Sequence, residues 1–342
     1  MQKDSFQEKQ FEDELKTMPK VDLHCHMDGS IPIGTMRKMA DHIGMELPED
    51  EELIKRLQVS HDCRDLNEYL SCFDIPLSLL QASVNYREMA AGVLEEVKKE
   101  NTAYIEQRFS PLSSFPYGLN YRDIIEDALE GMKEGIRKSG VQSTLIVCGM
   151  RHLPPEENIK MLRIAREYLG EGVAACDMAG SEADFPIMTQ AAFFEEARKL
   201  DFPFTIHAGE CGSPKSVADA IALGASRIGH GIAAYKDRDV MDLCRRKQIP
   251  LEFCPVSNLQ SRAVPDISQY PFELFRREGL FVTVNTDNRT VSSTSLTDEF
   301  MLLHETYGIS IGDCRELTEK ALQAAFADDA IKHIVWKKIK GV

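Results

Sequence analysis

An α/β fold, a (β/α)8 TIM barrel with a helical insertion after the first strand, is what this sequence predicts, and three observations carry the expectation. Eight short strand-like runs recur along the 342 residues. Most are continuously apolar, as strands buried on both faces of a parallel sheet must be. Helix-like stretches lie between them, and eight such strand–helix units span ~250 residues in a typical barrel.

The first run, KVDLHCH (20–26), leaves a turn marked by Pro19. TAYIEQRFS (102–110) and STLIVCG (143–149) are the second and third, separated by the helical pattern DIIEDALEGMKEGIRKSG (123–140). That pattern closes on a glycine, a common helix stop. GVAACDMAG (172–180), FPFTIHAGE (202–210) and SRIGHGI (226–232) follow, with the helix-like VADAIALGAS (217–226) between the last two. IPLEFCPVSN (249–258) and LFVTVNTDN (280–288) complete the eight. Residues 27–101 break the even spacing and contain helical patterns such as LNEYLSCFDIPLSLLQ (66–81). Inserted after the first strand, they overhang the C-terminal face of a barrel, where barrel enzymes place their chemistry. They read as a lid, or else as a structural helical pair on the outside. Within them Leu66, Tyr69 and Phe73 form a stripe at helical spacing, which reads as core or as a substrate gate. No linker, low-complexity tract or internal repeat interrupts the chain. The expectation is one domain, 1–342, with a polar N-terminal helix and a helical segment over 310–342.

Composition narrows the function. A net charge of −15 argues against nucleic acid and against an anionic membrane surface. No apolar run approaches the ~20 residues of a spanning helix, and the N-terminus is too polar for a secretory leader. Nine cysteines are scattered without a CxxC pair. Cys25, Cys148, Cys176 and Cys254 fall in apolar runs, where cysteine acts as a small buried hydrophobe. A reducing cytoplasm is expected, with neither disulfide framework nor zinc–thiolate site.

Polar residues gather at the strand ends. On a strand, His24 and His26 share one face and Cys25 takes the other. Taken alone, that pair can share a cation or simply face solvent on an edge strand. Asp28 follows the pair, Asp177 and Gly180 end the fourth strand, and His207 and Glu210 end the fifth. His230 sits between glycines in the sixth, and Asp287 with Asn288 ends the eighth. Barrel strand ends converge, so His24, His26, His207 and Asp287 can surround one ion of the zinc type. Three histidines and an aspartate fill a tetrahedron, and a bound water then needs a fifth position. Such a metal lowers the pKa of water from about 16 to about 7, worth on the order of 12 kcal/mol.

The set PKVDLHCHMDGS, DMAGSE, IHAGE, RIGHGI, CPVSN and VNTDN, in this order over residues 19–300, resembles the adenosine deaminase family of metal-dependent hydrolases, bacterial members above all. The resemblance implies zinc-dependent deamination of adenosine, and of deoxyadenosine, to inosine and ammonia, with one Zn2+ per chain. It implies that His24, His26, His207 and Asp287 hold the metal. Glu210 matches the acid/base that serves purine N1, and His230 the residue that orients the attacking hydroxide. His26, Asp28, Gly180 and Asn288 match substrate positions, Asp28 at the ribose 5′-hydroxyl and Gly180 at N3. Asn288 departs from the family's usual aspartate, so its contact to N7 comes from an amide, unless the residue merely caps a turn. Other readings stay open: a deaminase of adenine or another 6-aminopurine nucleoside, or an inactive metal-stabilised binding protein. DMAG offers no lysine to bridge two metals, which favours a single ion.

Overall fold

The computed structural model describes residues 2–342. Eight strands run parallel: β1 (Lys20–His26), β2 (Thr102–Phe109), β3 (Gln142–Met150), β4 (Val173–Ala179), β5 (Thr205–Ala208), β6 (Arg227–His230), β7 (Leu251–Phe253) and β8 (Val282–Val284). β1 to β4 form one ladder in sequence order and β5 to β8 another. Bridges between Cys176 and Phe204 and between Cys25 and Asp287 join the two ladders into a ring. The expected (β/α)8 barrel is the observed architecture.

The first strand coincides with its predicted run, the third is one residue longer at each end, and the others are shorter. β7 stops at Phe253, and Pro255–Gln260 is a helix, which corrects the expectation of a strand reaching Asn258. Proline has no N–H for a ladder but fits the first turn of a helix. Glu299 Oε2 accepts the free N–H of Val256 at 3.0 Å and caps that turn. β8 stops at Val284, so Asp287 and Asn288 lie in the loop beyond it.

The barrel interior is charged. Glu106 and Arg108 on β2, Asp177 on β4, Arg227 on β6 and Glu252 on β7 are fully buried. Below them the chain after helix Ile311–Ala324 plugs the barrel's N-terminal end. Arg227 donates to Ala324 O at 3.0 Å, Phe326 N–H donates to Glu106 at 2.6 Å, and the Phe326 ring lies 4.0 Å from the Arg227 guanidinium. Among the described residues none of the helices is long and apolar enough to cross a membrane.

Between β1 and β2 lie the helices Ile33–Ile43, Asp50–Leu57, Leu66–Ser71, Asp74–Ser78 and Ser83–Val97. Asp65 caps the third of these by accepting from Glu68 N–H at 3.0 Å. Ser83–Val97 packs against helix Tyr121–Ser139 so closely that a Cβ on Gly131 would sit 2.1 Å from Arg87 O. Gly34 has open space around the same position. Gly131→Ala is therefore expected to lower stability by about 1–3 kcal/mol through overpacking. Gly34→Ala should leave stability unchanged or raise it by up to about 1 kcal/mol. Urea unfolding of the two variants checks the contrast, and equal behaviour would show that the helix pair does not depend on this close approach.

Candidate metal centre and catalytic pocket

β1 projects His24 and His26 toward the C-terminal mouth, with ring centroids 5.3 Å apart. Cys25 turns away, 3.3 Å from Ser30 Oγ. His207 and Ala208 end β5, and His230 ends β6. Asp287 comes over from beyond β8, with its backbone N–H on His24 O and its carbonyl on His26 N–H, each at 2.7 Å. His230 and Asp287 both adopt left-handed φ, 61° and 59°. Such conformations cost of order 1–3 kcal/mol and cluster at functional sites.

The ligating atoms of His24, His207, His230 and Asp287 all lie within 4.8 Å of one another. His26 Nε2 joins them, 3.0 Å from His207 Nε2 and 3.5 Å from Asp287 Oδ1. Five groups thus surround one point, and their outer contacts sort them. His24 Nδ1 is 2.8 Å from Glu252 Oε2, and His207 Nδ1 is 2.9 Å from Asp177 Oδ2. The Glu252 hydrogen bond keeps the proton on His24 Nδ1, and the charge of Asp177, close to His207 Nδ1 but outside hydrogen-bond geometry, favours the same tautomer there, leaving both Nε2 lone pairs for a cation. His230 is the reverse. Tyr270 O–H donates to Asn258 Oδ1 at 3.0 Å, which turns the Asn258 amide nitrogen toward His230 Nδ1, also at 3.0 Å. Assigned from this network, Nδ1 accepts and Nε2 carries the proton. Burial holds His230 well below the usual imidazole range, so it stays neutral. In this assignment His230 presents an N–H to the pocket.

The remaining donors fit a divalent ion. His24 Nε2 is buried without a protein partner, a state that costs about 1–3 kcal/mol unless something else satisfies it. Asp287 Oδ2 accepts from Ser257 Oγ at 2.5 Å, while Oδ1 faces His24 at 3.4 Å. Three imidazole nitrogens and one carboxylate oxygen are a zinc-like set.

A cavity of about 350 Å³ opens beside this cluster, lined among others by His26, Asp28, Gly180, Glu210 and Asn288. His24 lies beneath it. Leu66, Tyr69 and Phe73 roof it, with Tyr69 and Phe73 buried, so the stripe is packed core and cavity wall at once. Among the described residues neither lysine nor arginine lines it. Burial, with the charges of Asp287 and Glu182, pushes Glu210 up to about 8. Burial pushes Asp28 up to about 6. Glu210 Oε2 lies 3.7 Å from His230 Nε2. Gly180 has φ 105°, which a side chain would resist. Asn288 caps no turn with its side chain: Nδ2 donates to Tyr69 Oη at 2.9 Å.

Several supporting residues escaped the sequence reading. Glu182 accepts from the N–H groups of Gly209, Glu210 and Cys211 at 2.6, 3.0 and 2.9 Å, fixing the loop that carries Glu210. Glu252, Ser257 and Asn258 orient the cluster from β7 and the helix after it. A lone acid inside the apolar run LEF was the available signal for Glu252.

A family model described as adenosine deaminase matches residues 19–342. An adenosine deaminase of Enterococcus faecalis is 41% identical over 329 residues, covering 96% of this chain and 98% of that protein. One from Clostridium acetobutylicum is 37% identical over 330 residues, covering 96% and 98%. Among solved structures, an adenine deaminase from Arthrobacter aurescens superposes with a TM-score of 0.83 at 24% identity, covering 95% of this chain and 98% of that one. At that identity it supports the fold alone.

The carboxylate behind His207 yields a test. In Asp177→Asn the amide can donate to Nδ1 and turn the ring's lone pair away from the metal point. Metal affinity should fall about 10–100-fold, measured by competition with a chelating dye on protein whose circular dichroism matches wild type. Unchanged affinity would remove Asp177 from this role.

Proposed function

Because the chain belongs to the adenosine deaminase family, we infer that it hydrolyses adenosine to inosine and ammonia. The observation that carries this reading is a buried carboxyl group, Glu210, pushed up to about 8 beside a zinc-like donor cluster in one cavity. The family is metal-dependent. We assign one Zn2+ to His24, His26, His207 and Asp287; when bound, it supplies acidified water at neutral pH. Glu210, protonated in its dry site, gives its proton to purine N1 and makes C6 electrophilic. Neutral His230 points Nε2–H toward the attacking oxygen and orients it. Gly180 N–H meets N3, Asp28 meets the ribose 5′-hydroxyl, and His26 borders the substrate as well as the metal. Asn288 uses an amide hydrogen for N7, an acceptor only.

A neutral nucleoside suits a cavity that offers Asp28 and no cation. A 5′-phosphate beside that carboxyl group would meet like charge without a partner. The same emptiness gives no reason to favour free adenine, because Asp28 would then have nothing to bind. Deoxyadenosine, which keeps the 5′-hydroxyl, belongs to the reading. So do a single domain with residues 27–101 as its lid, residues 310–342 as a helical segment sealing the barrel, a cytoplasmic location, and neither nucleic-acid nor membrane partner. All nine cysteines are free, in keeping with a reducing compartment.

Loss of absorbance near the adenosine maximum should be fast with adenosine, and slow or absent with AMP and adenine. Elemental analysis should give about one metal per chain, with chelation abolishing turnover and Zn2+ restoring it. Two metals per chain, or full activity without any, would sink the assignment. Glu210→Gln should fold, keep its metal and lose ~10²–10⁴ in rate. A variant that retains near-wild-type turnover would take Glu210 out of the proton transfer.

A further inference from the structure

An asparagine that reads N7 has a difficulty that its chemistry makes plain. The two ends of the amide are nearly the same size, yet only the nitrogen can donate. If the carbonyl faced N7, two acceptors would meet in a buried site. Something must choose the end.

Two contacts make that choice. Asn288 Nδ2 donates one hydrogen to Tyr69 Oη at 2.9 Å, and Tyr69 Oη lies 2.7 Å from Ser292 Oγ. Because the Tyr69 oxygen accepts from the amide, the tyrosine proton is assigned to Ser292 Oγ, and the second Nδ2 hydrogen stays free. The carbonyl end is buried without a hydrogen-bond partner and rests on the bare Cα of Gly29, where a Cβ would lie 1.9 Å from Oδ1. Both Tyr69 and Asn288 border the cavity. Tyr69 belongs to helix Leu66–Ser71, inside the 27–101 insertion, whereas Asn288 and Ser292 follow β8.

We propose that Tyr69 is a positioning residue that sets substrate specificity, holding the nitrogen end of the Asn288 amide toward purine N7. The proposal rests on the assignment of Asn288 to N7. It makes the purine contact conditional on the insertion being seated, since the residue that orients the reader is carried by the roof. It also explains how an amide serves where the family's usual residue is a carboxyl group, which has no wrong end to exclude.

The test uses two substrates, adenosine and 7-deazaadenosine, the second having C–H in place of N7. Tyr69→Phe keeps the ring and removes the hydroxyl. It should lower kcat/KM for adenosine about tenfold and leave 7-deazaadenosine within about twofold, with metal content unchanged. Ser292→Ala removes the acceptor of the tyrosine proton, so that the hydroxyl can turn that proton toward the amide. The same adenosine-selective loss is expected. In an Asn288→Ala background, Tyr69→Phe should have no further effect on adenosine, because the group it orients is gone. Equal losses on both substrates, or losses that add to those of Asn288→Ala, would show that Tyr69 only packs the roof. If Asn288→Ala itself affects both substrates alike, the N7 assignment fails and the role of Tyr69 falls with it. If Asn288→Ala is selective and Tyr69→Phe is not, only the Tyr69 proposal fails.

Discussion

Two arginines without access to solvent organise this molecule. Arg108 bridges Asp177 and Glu252 at 2.8 and 2.9 Å, and Arg227 bridges Glu106 and Glu252 at 2.5 and 2.7 Å. Guanidinium suits the task, being always charged and shaped to fork between carboxylates. Desolvating such groups is costly, and removing one partner of a buried pair typically costs 3–5 kcal/mol, about as much as a small domain's margin. The network is nonetheless where the histidines of the candidate metal cluster meet their carboxylates, Glu252 on His24 and Asp177 on His207.

The strand ends were legible in the sequence because they are chemically unusual. Histidine and aspartate closing apolar runs, at βα spacing, have few structural explanations when repeated around one barrel. The charges beneath them were hidden by the same logic. In TAYIEQRF, Tyr104, Glu106 and Arg108 share a face, and an alternating polar face ordinarily means solvent. Only closure of the ring turns that face inward. What separates His230 from the ligands was equally hidden, since it resides in the partner of the second ring nitrogen. Asn258, which decides it, lies on a short helix where the sequence was read as strand. Strand lengths were overestimated in the second half because Pro255 and the loop after Val284 end the ladders while the chain continues toward the pocket.

The insertion contributes more than cover. Its roof residues Tyr69 and Phe73 pack with Cys63 and Val291, so the insertion's apolar core is shared with the loop that follows Asp287. Gln58 Nε2 donates to Ser293 Oγ at 3.1 Å, and Arg262 reaches back to the carbonyls of His61 and Cys63 at 2.8 and 2.7 Å. These contacts are polar and peripheral, of the kind worth about 1 kcal/mol each, while the apolar stripe supplies the burial. Helical spacing alone could not separate a packing stripe from a cavity wall, because in this arrangement one face does both.

Closing the barrel and assembling the metal site are one event. The seam between β8 and β1 is made by Asp287 N–H on His24 O and His26 N–H on Asp287 O, each at 2.7 Å. The residues that complete the ring are therefore among those proposed to hold the ion. A seam between the first and last strands demands a long loop closure, the kind of contact that slows folding. It is also held by a left-handed aspartate, whose strain must be offset locally. His24, His26 and Asp287 would hold a cation across this seam, and its binding energy would then also be closure energy. Asp287 therefore serves twice: its backbone makes the seam, and its Oδ1 faces the same two histidines.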